Sequence, residues 1–310
     1  MRTYEECFPC FERQASEACA LCGMSSKATA DVLDSVRVRM HAFPRSHSPV
    51  EMAVEIHDLV RPAANGSDPY KAIKHRSNAA CRQSMHVLSE CMAWSLDPFE
   101  TATKLAIAGN VIDFGVYSPS EISRRDVVRT AQSALGEPLT GASLLEFREL
   151  VDRASRILYV GDNAGECFLD TFLLKQLPSD RLMYAVRGGA VLNDATAEDA
   201  RAAGIHNRCE VIDTGDSAPG VLLDRCSEQF RRTFNEADLV IAKGQGNYES
   251  LSGATGKTCV FLTKVKCPVI AQDIGHPVGS NVIRIINAPR PNLRAEGREQ
   301  RNTVKEVHHA

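Results

Sequence analysis

The chain has 310 residues, 44% of them hydrophobic and 24% charged, with a net charge of -3 and a pI near 6.3. This length exceeds one typical domain, so we expect two domains or one large α/β unit. The nearly balanced charge predicts no nucleic-acid partner, and no apolar run approaches the ~18 residues that a membrane span requires. The first residues, MRTYEECFPCFERQ, lack the apolar core of a secretory signal. We therefore expect a cytoplasmic protein with no membrane partner.

Eleven cysteines are scattered along the chain, and without a secretory signal we expect reduced thiols. Four of them form two CxxC pairs, Cys7 with Cys10 and Cys19 with Cys22. The segment between the pairs is predicted to be helical. If Cys7 to Cys22 is one helix, its ends lie about 22 Å apart at roughly 1.5 Å per residue. Four thiolates then cannot meet one ion, which favours helix packing over a structural zinc or iron–sulfur site.

Residues 1–150 are predicted to form an all-helical N-terminal domain. Apolar residues recur there at three- and four-residue spacing, and strand-like alternation is nearly absent. Asp68-Pro69 and Asp97-Pro98 each place an N-cap candidate directly before a proline at the first helical position. The predicted helices cover 28–39, 49–60, 69–94 and 98–110.

From residue 156 onwards, short apolar runs alternate with helical segments. The runs are RILYVGD, RLMYAVRGG, CEVIDTG, DLVIAKGQGN, KTCVFLTKVK and NVIRIIN. Strands that alternate with helices indicate βαβ units and a mostly parallel sheet that is buried on both faces. We therefore predict an α/β domain over residues 151–287. Residues 288–310 are polar, charged and interrupted by prolines, which predicts a flexible tail.

Polar side chains follow the predicted strands at the points where they end. In open α/β sheets, ligands bind at the carboxyl ends of the strands, so we expect these side chains to share a site. They are Asp162, Asn163 and Glu166 after the first strand, Arg187 and then Asn193-Asp194 after the second, Lys243 and Asn247 after the strand at 238–242, and Lys264 and Lys266 after the strand at 259–263.

Three of these side chains are candidate metal ligands. Asp162, Asn163 and Asp194 supply hard oxygen atoms for a small divalent ion such as magnesium or manganese. Because Asn193-Asp194 also precedes a predicted helix, either residue is equally a candidate N-cap. Glu166 begins the helix after the first strand and is a candidate general base, or a residue that orients a water molecule.

The basic side chains at the strand ends suit a phosphoryl group. Arg187, Lys243 and Lys266 supply positive charge, and the glycine-rich turns let backbone N–H groups approach an anion. A metal ion can polarise phosphoryl oxygens while basic residues hold the others. The residues alone predict a site here without fixing the reaction.

Six stretches of the chain together resemble the damage-control phosphatase family, also known as domain of unknown function 89. In chain order they are CFPCFERQA, GNVIDFG, VGDNAGECFLD, VRGGAVLNDAT, LVIAKGQGNYESL and FLTKVKCPVIAQDIG. The N-terminal CxxC and the KVKC sequence resemble the compact, stand-alone branch of this family. The resemblance implies a helical domain on a Rossmann-like α/β domain. It also implies a phosphatase that depends on magnesium, manganese, cobalt or nickel and hydrolyses small phosphorylated metabolites, such as sugar phosphates or phosphorylated cofactor precursors, including damaged forms.

The resemblance also implies roles for individual residues. The metal ligands fall on Asp162, Asn163 and Asp194, and Asp162 is catalytic either as a ligand alone or as a nucleophile. Phosphate or substrate contacts are expected at Asn110, Asp113, Arg187, Lys243, Asn247 and Lys266. Larger family members carry an arginine-threonine motif near the last of these positions, where this chain reads Thr-Lys-Val-Lys, so the substrate contact differs there.

Two other functions fit parts of the sequence. A methyltransferase using S-adenosylmethionine would place its cofactor on the turn after the first strand, but Asp162 and Asn163 stand where small residues are needed, and Arg187 follows the second strand instead of a ribose-binding acid. An NAD enzyme fails because no G-x-G-x-x-G is present. A non-catalytic protein that binds phosphorylated metabolites would use the same groups as a phosphatase.

Overall fold

The computed structural model describes residues 1–109, 123–253 and 255–288. Within these residues the first part of the chain is helical, as predicted. The helix over 49–60 is found with the predicted bounds, and Glu51 caps it by accepting from the backbone N–H of Ser48 at 2.7 Å. The helices are α1 (Phe8–Leu21), α2 (Ser26–Ala42), α3 (Pro49–Val60), α4 (Lys71–Ala93), α5 (Pro98–Gly109) and α6 (Arg124–Gly136).

The two aspartate-proline signals differ in outcome. Asp97 caps α5, since its Oδ1 accepts from the backbone N–H of Glu100 at 3.0 Å. Asp68 instead accepts from the backbone N–H of Tyr70 at 2.9 Å, which forms a turn, and α4 begins only at Lys71. The start predicted at residue 69 is therefore two residues early.

Helix α1 separates the two CxxC pairs. Cys7 lies at its start and Cys22 follows its last residue, so the pairs lie near opposite ends of a helix about 20 Å long. All of these cysteines are free thiols. Cys19 is buried against Val60 of α3, which is the packing role that the sequence favours.

A seven-stranded sheet forms the second part. Its order is β1-β7-β6-β5-β2-β3-β4. The five strands from β6 to β4 run parallel, while β7 is antiparallel to β6, and β1 runs parallel to β7. The mostly parallel α/β fold is thus confirmed. The elements are β1 (Leu139–Gly141), α7 (Leu144–Arg153), β2 (Ile157–Val160), α8 (Glu166–Leu174), β3 (Leu182–Val186), α9 (Ala197–Ala202), β4 (Glu210–Asp213), α10 (Glu228–Glu236), β5 (Leu239–Lys243), α11 (Gly244–Leu251), β6 (Cys259–Lys264), α12 (Pro268–Ile274) and β7 (Asn281–Ile286).

The edge strand β1 is not predicted by the sequence. Its three residues are too short to show alternation, and it is held by pairing with β7, which lies more than a hundred residues later in the chain. Sheet structure therefore begins inside the part of the chain that was expected to be wholly helical. The tail predicted over 288–310 lies outside the described residues from 289 onwards.

Helices cover both faces of the sheet. Successive β2 side chains point to opposite faces, so they contribute to two separate cores. Ile157 and Tyr159 join a core with residues of α4 to α8. Leu158 and Val160 join a second core with residues of α10, α11 and α12. Each such fully buried aliphatic side chain contributes about 1.5–3 kcal/mol. Within the described residues, no helix is long and apolar enough to cross a bilayer.

Candidate active site

The candidate site lies where the chain changes direction across the sheet. From β2 the chain continues to β3 and β4 on one side, then returns to β5 on the other side. The loops after β2 and β5 therefore diverge and leave a crevice at the carboxyl ends of the strands, which is where ligands bind in such sheets. Asp162 and Arg187 follow β2 and β3, and Lys243 ends β5. The predicted strand-end residues therefore meet at one edge.

Backbone hydrogen bonds join the β2 loop (161–166) to the β3 loop (187–196). The N–H of Ala195 donates to the carbonyl of Asp162 at 2.7 Å, and the N–H of Ala164 donates to the carbonyl of Asn193 at 2.9 Å. Asn163 and Asp194 form an isolated antiparallel bridge. Two loops that are distant in sequence are thus held side by side, and they bring the three predicted oxygen ligands together.

Arg187 is buried between these loops, with 1% of the residue exposed. Its Nε donates to Asp194 Oδ2 at 2.6 Å, and its Nη2 donates to Asn247 Oδ1 at 3.0 Å. The same Nη2 lies 3.8 Å from Asp162 Oδ1. Its Nη1 is buried and has no hydrogen-bond partner among the described residues. A buried, unpaired guanidinium donor is costly, so this atom is suited to meet an anionic ligand.

The alternative of a helix cap does not hold for Asp194. Helix α9 is capped by Thr196 in a reciprocal pair with Asp199, while the Asp194 carboxylate is bound by Arg187. The Asp194 carboxylate is therefore part of the crevice and does not cap α9.

Asn163 links two carboxylates in the β2 loop. Its Nδ2 donates to Asp162 Oδ2 at 3.1 Å and to Glu166 Oε1 at 2.7 Å. The other oxygen of Glu166 accepts from Lys243 Nζ at 2.9 Å. Gly109 at the end of α5 packs against Glu166, since a Cβ on this glycine would lie 3.0 Å from Glu166 Cγ. The carboxylate is thus held by Asn163 and Lys243, and the stem of the side chain packs against Gly109.

A buried cluster next to Glu166 is not predicted from the sequence. Lys243 Nζ also donates to Asp170 Oδ1 at 2.9 Å, and the hydroxyls of Tyr159 and Tyr184 donate to Asp170 at 2.8 Å each. One signal was available, because Asp170 is the one acidic residue in the apolar stretch CFLDTFLL that follows Glu166. The pairing of Tyr159 with Tyr184 follows from the register of β2 and β3, which the sequence does not reveal.

Burial and neighbouring carboxylates shift the acids of the crevice toward protonation. Burial raises the pKa of Asp162 well above its usual range, and the charges of Glu166 and Asp194 raise that pKa further. Arg187 and Lys266 oppose this rise. Repulsion among buried carboxylates is relieved when a cation binds between them, so the site favours an additional positive charge.

The pKa of Lys243 is also raised, but here neighbouring charges act against burial. Burial lowers the pKa of its ammonium group, but the carboxylates of Asp170 and Glu166 outweigh burial, and the pKa is raised overall. Burial raises the pKa of Glu166, and Lys243 opposes that rise. Lys243 is therefore a permanent cation beside Glu166.

The remaining predicted residues differ in their placement. Lys266 is exposed, but its charge reaches both Asp162 and Glu166, so it lies at the mouth of the crevice. Lys264 is bound to Glu137 Oε2 at 3.0 Å. Asn110 and Asp113 lie outside the described residues.

The donor set fits a hard divalent ion. Among the described residues, no three His, Cys, Asp or Glu side chains gather as metal ligands, so a metal centre here depends on two aspartates and an asparagine amide. Asp162, Asn163 and Asp194 are largely buried and adjacent, and oxygen donors of this kind suit magnesium or manganese.

This crevice of buried carboxylates and cations at the switch point of an α/β sheet defines a candidate small-molecule site, and the comparisons with known proteins agree. The model of the damage-control phosphatase ARMT1-like domain matches residues 3–282. The chain therefore belongs to the damage-control phosphatase ARMT1-like family, as the sequence motifs predicted.

Three archaeal proteins are similar to this chain. An uncharacterized protein of Methanocaldococcus jannaschii is 35% identical over 294 residues, which covers 90% of this chain and 93% of that protein. A damage-control phosphatase of Archaeoglobus fulgidus is 33% identical over 258 residues, with 82% and 88% covered. The damage-control phosphatase PH1575 of Pyrococcus horikoshii is 37% identical over 219 residues, with 69% and 74% covered. The crystal structure of PH1575, a DUF89 family protein, matches with a TM-score of 0.80 at 30% identity, and covers 92% of this chain and 99% of that chain.

Proposed function

We propose that this chain is a divalent-metal-dependent phosphatase that hydrolyses small phosphorylated metabolites, such as sugar phosphates or phosphorylated cofactor precursors. The observation that carries the proposal is the juxtaposition of an unpaired, buried Arg187 Nη1 with the Asp162–Asp194 carboxylate pair. A phosphoryl group needs both a cation clamp and an ion that oxygen ligands can hold. Two of the similar proteins bear the name damage-control phosphatase.

Asp162, Asn163 and Asp194 are the residues that would hold the metal. The Asn163 amide nitrogen donates to Asp162 and Glu166, so its Oδ1 is the atom that would bind the metal. A bound divalent ion would polarise the phosphoryl oxygens and offset the negative charge that develops on them.

Arg187 and Lys266 are the residues that would bind the phosphoryl group. Arg187 is held rigidly by Asp194 and Asn247, so its free Nη1 donor is fixed in place before the substrate arrives, and little ordering is needed at the moment of reaction. Lys266 is exposed at the mouth and would attract the dianionic substrate into the crevice.

Glu166 would act as the general base. Its raised pKa makes the carboxylate a stronger proton acceptor than an ordinary glutamate. Glu166 accepts a proton from water as the water oxygen bonds to phosphorus, while the bond from phosphorus to the ester oxygen breaks and that oxygen takes up a proton from solvent. The products are inorganic phosphate and the dephosphorylated metabolite.

The test is hydrolysis of p-nitrophenyl phosphate with magnesium, manganese, cobalt or nickel supplied separately. We expect turnover with at least one ion and loss of turnover with a chelator. Asp162→Ala should lower kcat by on the order of 10³-fold or more and remove Mn²⁺ binding measured by calorimetry. Asp213→Ala alters an exposed aspartate at the end of the edge strand β4, and should change neither quantity by more than about twofold.

Other outcomes would replace the proposal. No turnover with any of the four ions would contradict it. Tight binding of S-adenosylmethionine without a metal would favour a methyltransferase. Binding of phosphorylated metabolites without turnover would favour a non-catalytic binding protein.

A further inference from the structure

Lys243 has a different environment from the one that a phosphate-binding lysine needs. None of its side chain is exposed, and its ammonium group donates to Glu166 and to Asp170, each at 2.9 Å. The sequence predicted a direct contact between this lysine and phosphate. Because two carboxylates already neutralise this charge and none of the side chain is exposed, Lys243 is not placed to bind a phosphoryl group directly.

Asp170 fixes the other end of this pair. It lies four residues after Glu166 in α8, on the same side of the helix, and is completely buried. The hydroxyls of Tyr159 and Tyr184 each donate to it at 2.8 Å, and their rings stack with centroids 5.3 Å apart. Three donors therefore hold a carboxylate that cannot itself touch a substrate.

We propose that Asp170 is a positioning residue for the phosphatase reaction: it holds the Lys243 ammonium group against Glu166, and this pair fixes the Glu166 carboxylate in the orientation that also meets the Asn163 amide. A lysine side chain alone has many rotamers, and a second, anchored carboxylate removes that freedom. The proposal rests on the proposed function, because Glu166 is the proton acceptor there.

The first test is Asp170→Asn, which keeps the shape of the side chain and removes its charge. We expect kcat for p-nitrophenyl phosphate to fall about 10–100-fold, with KM changed less than about threefold. Asp199→Asn is the matched control, because Asp199 is also a buried carboxylate but caps α9. It should lower Tm and leave kcat within about twofold. Tyr159→Phe removes one donor to Asp170 and should lower kcat by a smaller factor of about 3–10.

A double-mutant cycle separates positioning from a general loss of stability. If Asp170 acts through Glu166, then Asp170→Asn has no further effect on kcat in the Glu166→Gln background. If the two losses multiply, Asp170 acts independently of Glu166 and the proposal is overturned. The proposal would also be overturned if kcat falls in proportion to Tm in both Asp170→Asn and Asp199→Asn.

A crystal structure of the Asp170→Asn variant tests the same idea without turnover. We expect Glu166 Oε1 to leave the Asn163 amide, which it contacts at 2.7 Å in the wild type. An unchanged contact between Glu166 and Asn163 in this variant would overturn the positioning role, whatever the kcat of the variant. Conversely, a wild-type protein without activity toward any phosphate ester would contradict the proposed function, while displacement of Glu166 would still support the positioning geometry.

Discussion

At the scale of single residues, Arg187 combines two tasks that usually fall to different side chains. Its Nε and Nη2 stabilise the crevice through Asp194 and Asn247, while Nη1 remains available for a ligand. A guanidinium group can do this because its donors form a rigid planar fork. A lysine would offer one point of charge and could not keep both protein contacts and a separate donor.

Arg187→Lys should therefore lower kcat/KM for p-nitrophenyl phosphate by on the order of 10²-fold, mainly through the lost phosphoryl contact. Arg225→Lys is the matched control, because Arg225 also pairs with an aspartate, Asp216, through two bonds of 3.0 Å, but its side chain is 42% exposed. Steady-state kinetics should show that variant within about twofold of wild type. Equal kcat/KM values for both variants would contradict the role given to Arg187.

The sequence predicts which residues gather at the crevice but not how they bind one another. Asp162, Arg187 and Lys243 stand at strand ends, and the rule for parallel sheets brings strand ends together. The contact between Lys243 and Asp170 depends on how deeply α8 packs against the sheet. Hydrophobic periodicity does not determine that depth. The tyrosine pair likewise depends on strand register.

At the scale of elements, the contact of α4 with the β2 loop holds the helical part against the site. A Cβ on Gly165 would lie 3.0 Å from Cys81 Sγ and 3.2 Å from Ser77 Cβ, and closer still to the Ser77 hydroxyl. The backbone of Gly165 is in the ordinary helical region, so any residue could adopt it. Only the close approach of α4 requires glycine here.

Gly165→Ala should therefore destabilise the protein by about 1–3 kcal/mol through overpacking, seen as a lower Tm, and should reduce kcat because the loop carries the site. Adding Ser77→Gly removes the nearest atoms and should recover part of the Tm. Gly136→Ala is the control, because a Cβ on that glycine meets nothing within 4 Å. Failure of Ser77→Gly to restore any stability would show that α4 does not set the loop position.

Element prediction succeeded where local signals were strong. Helix α3 carries its own cap and proline, and its bounds agree with the sequence. β1 is not predicted, because three residues are too few to show a period. The antiparallel direction of β7 is not predicted either, because strand direction depends on pairing and not on composition. Strand order likewise requires knowing which loops cross the sheet.

At the scale of the whole molecule, the helical part and the sheet are not independent. Residues of α4, α5 and α6 share one buried core with β2 and α8, so opening the interface between them would expose apolar surface of both. The sequence predicts two compositional halves, but not that one core joins them. We therefore expect the two parts to unfold together.

One partly buried acid on α11, Glu249, makes a contribution to the stability of the whole protein that falls as pH rises. Burial raises the pKa of Glu249 to about 7, although Gln245 and the Met1 amino group oppose this. Because the unfolded pKa is lower, near 4.5, the folded state favours the protonated acid. Its stabilising contribution is complete below pH ~4.5 and is lost as pH rises through ~7.

A rise from 4.5 to about 7 corresponds to at most ~3.4 kcal/mol, and since part of the residue is exposed we expect about 1–2 kcal/mol. Glu249→Gln imitates the protonated acid, so urea unfolding should show it more stable than wild type by that amount at pH 8 and nearly equal at pH 4.5. Glu228→Gln alters a glutamate whose side chain is 83% exposed and should give no such pH-dependent difference. Parallel stability curves for wild type and Glu249→Gln from pH 4.5 to 8 would contradict a raised pKa, because only a carboxyl group that titrates differently in the folded and unfolded states can make the two curves diverge.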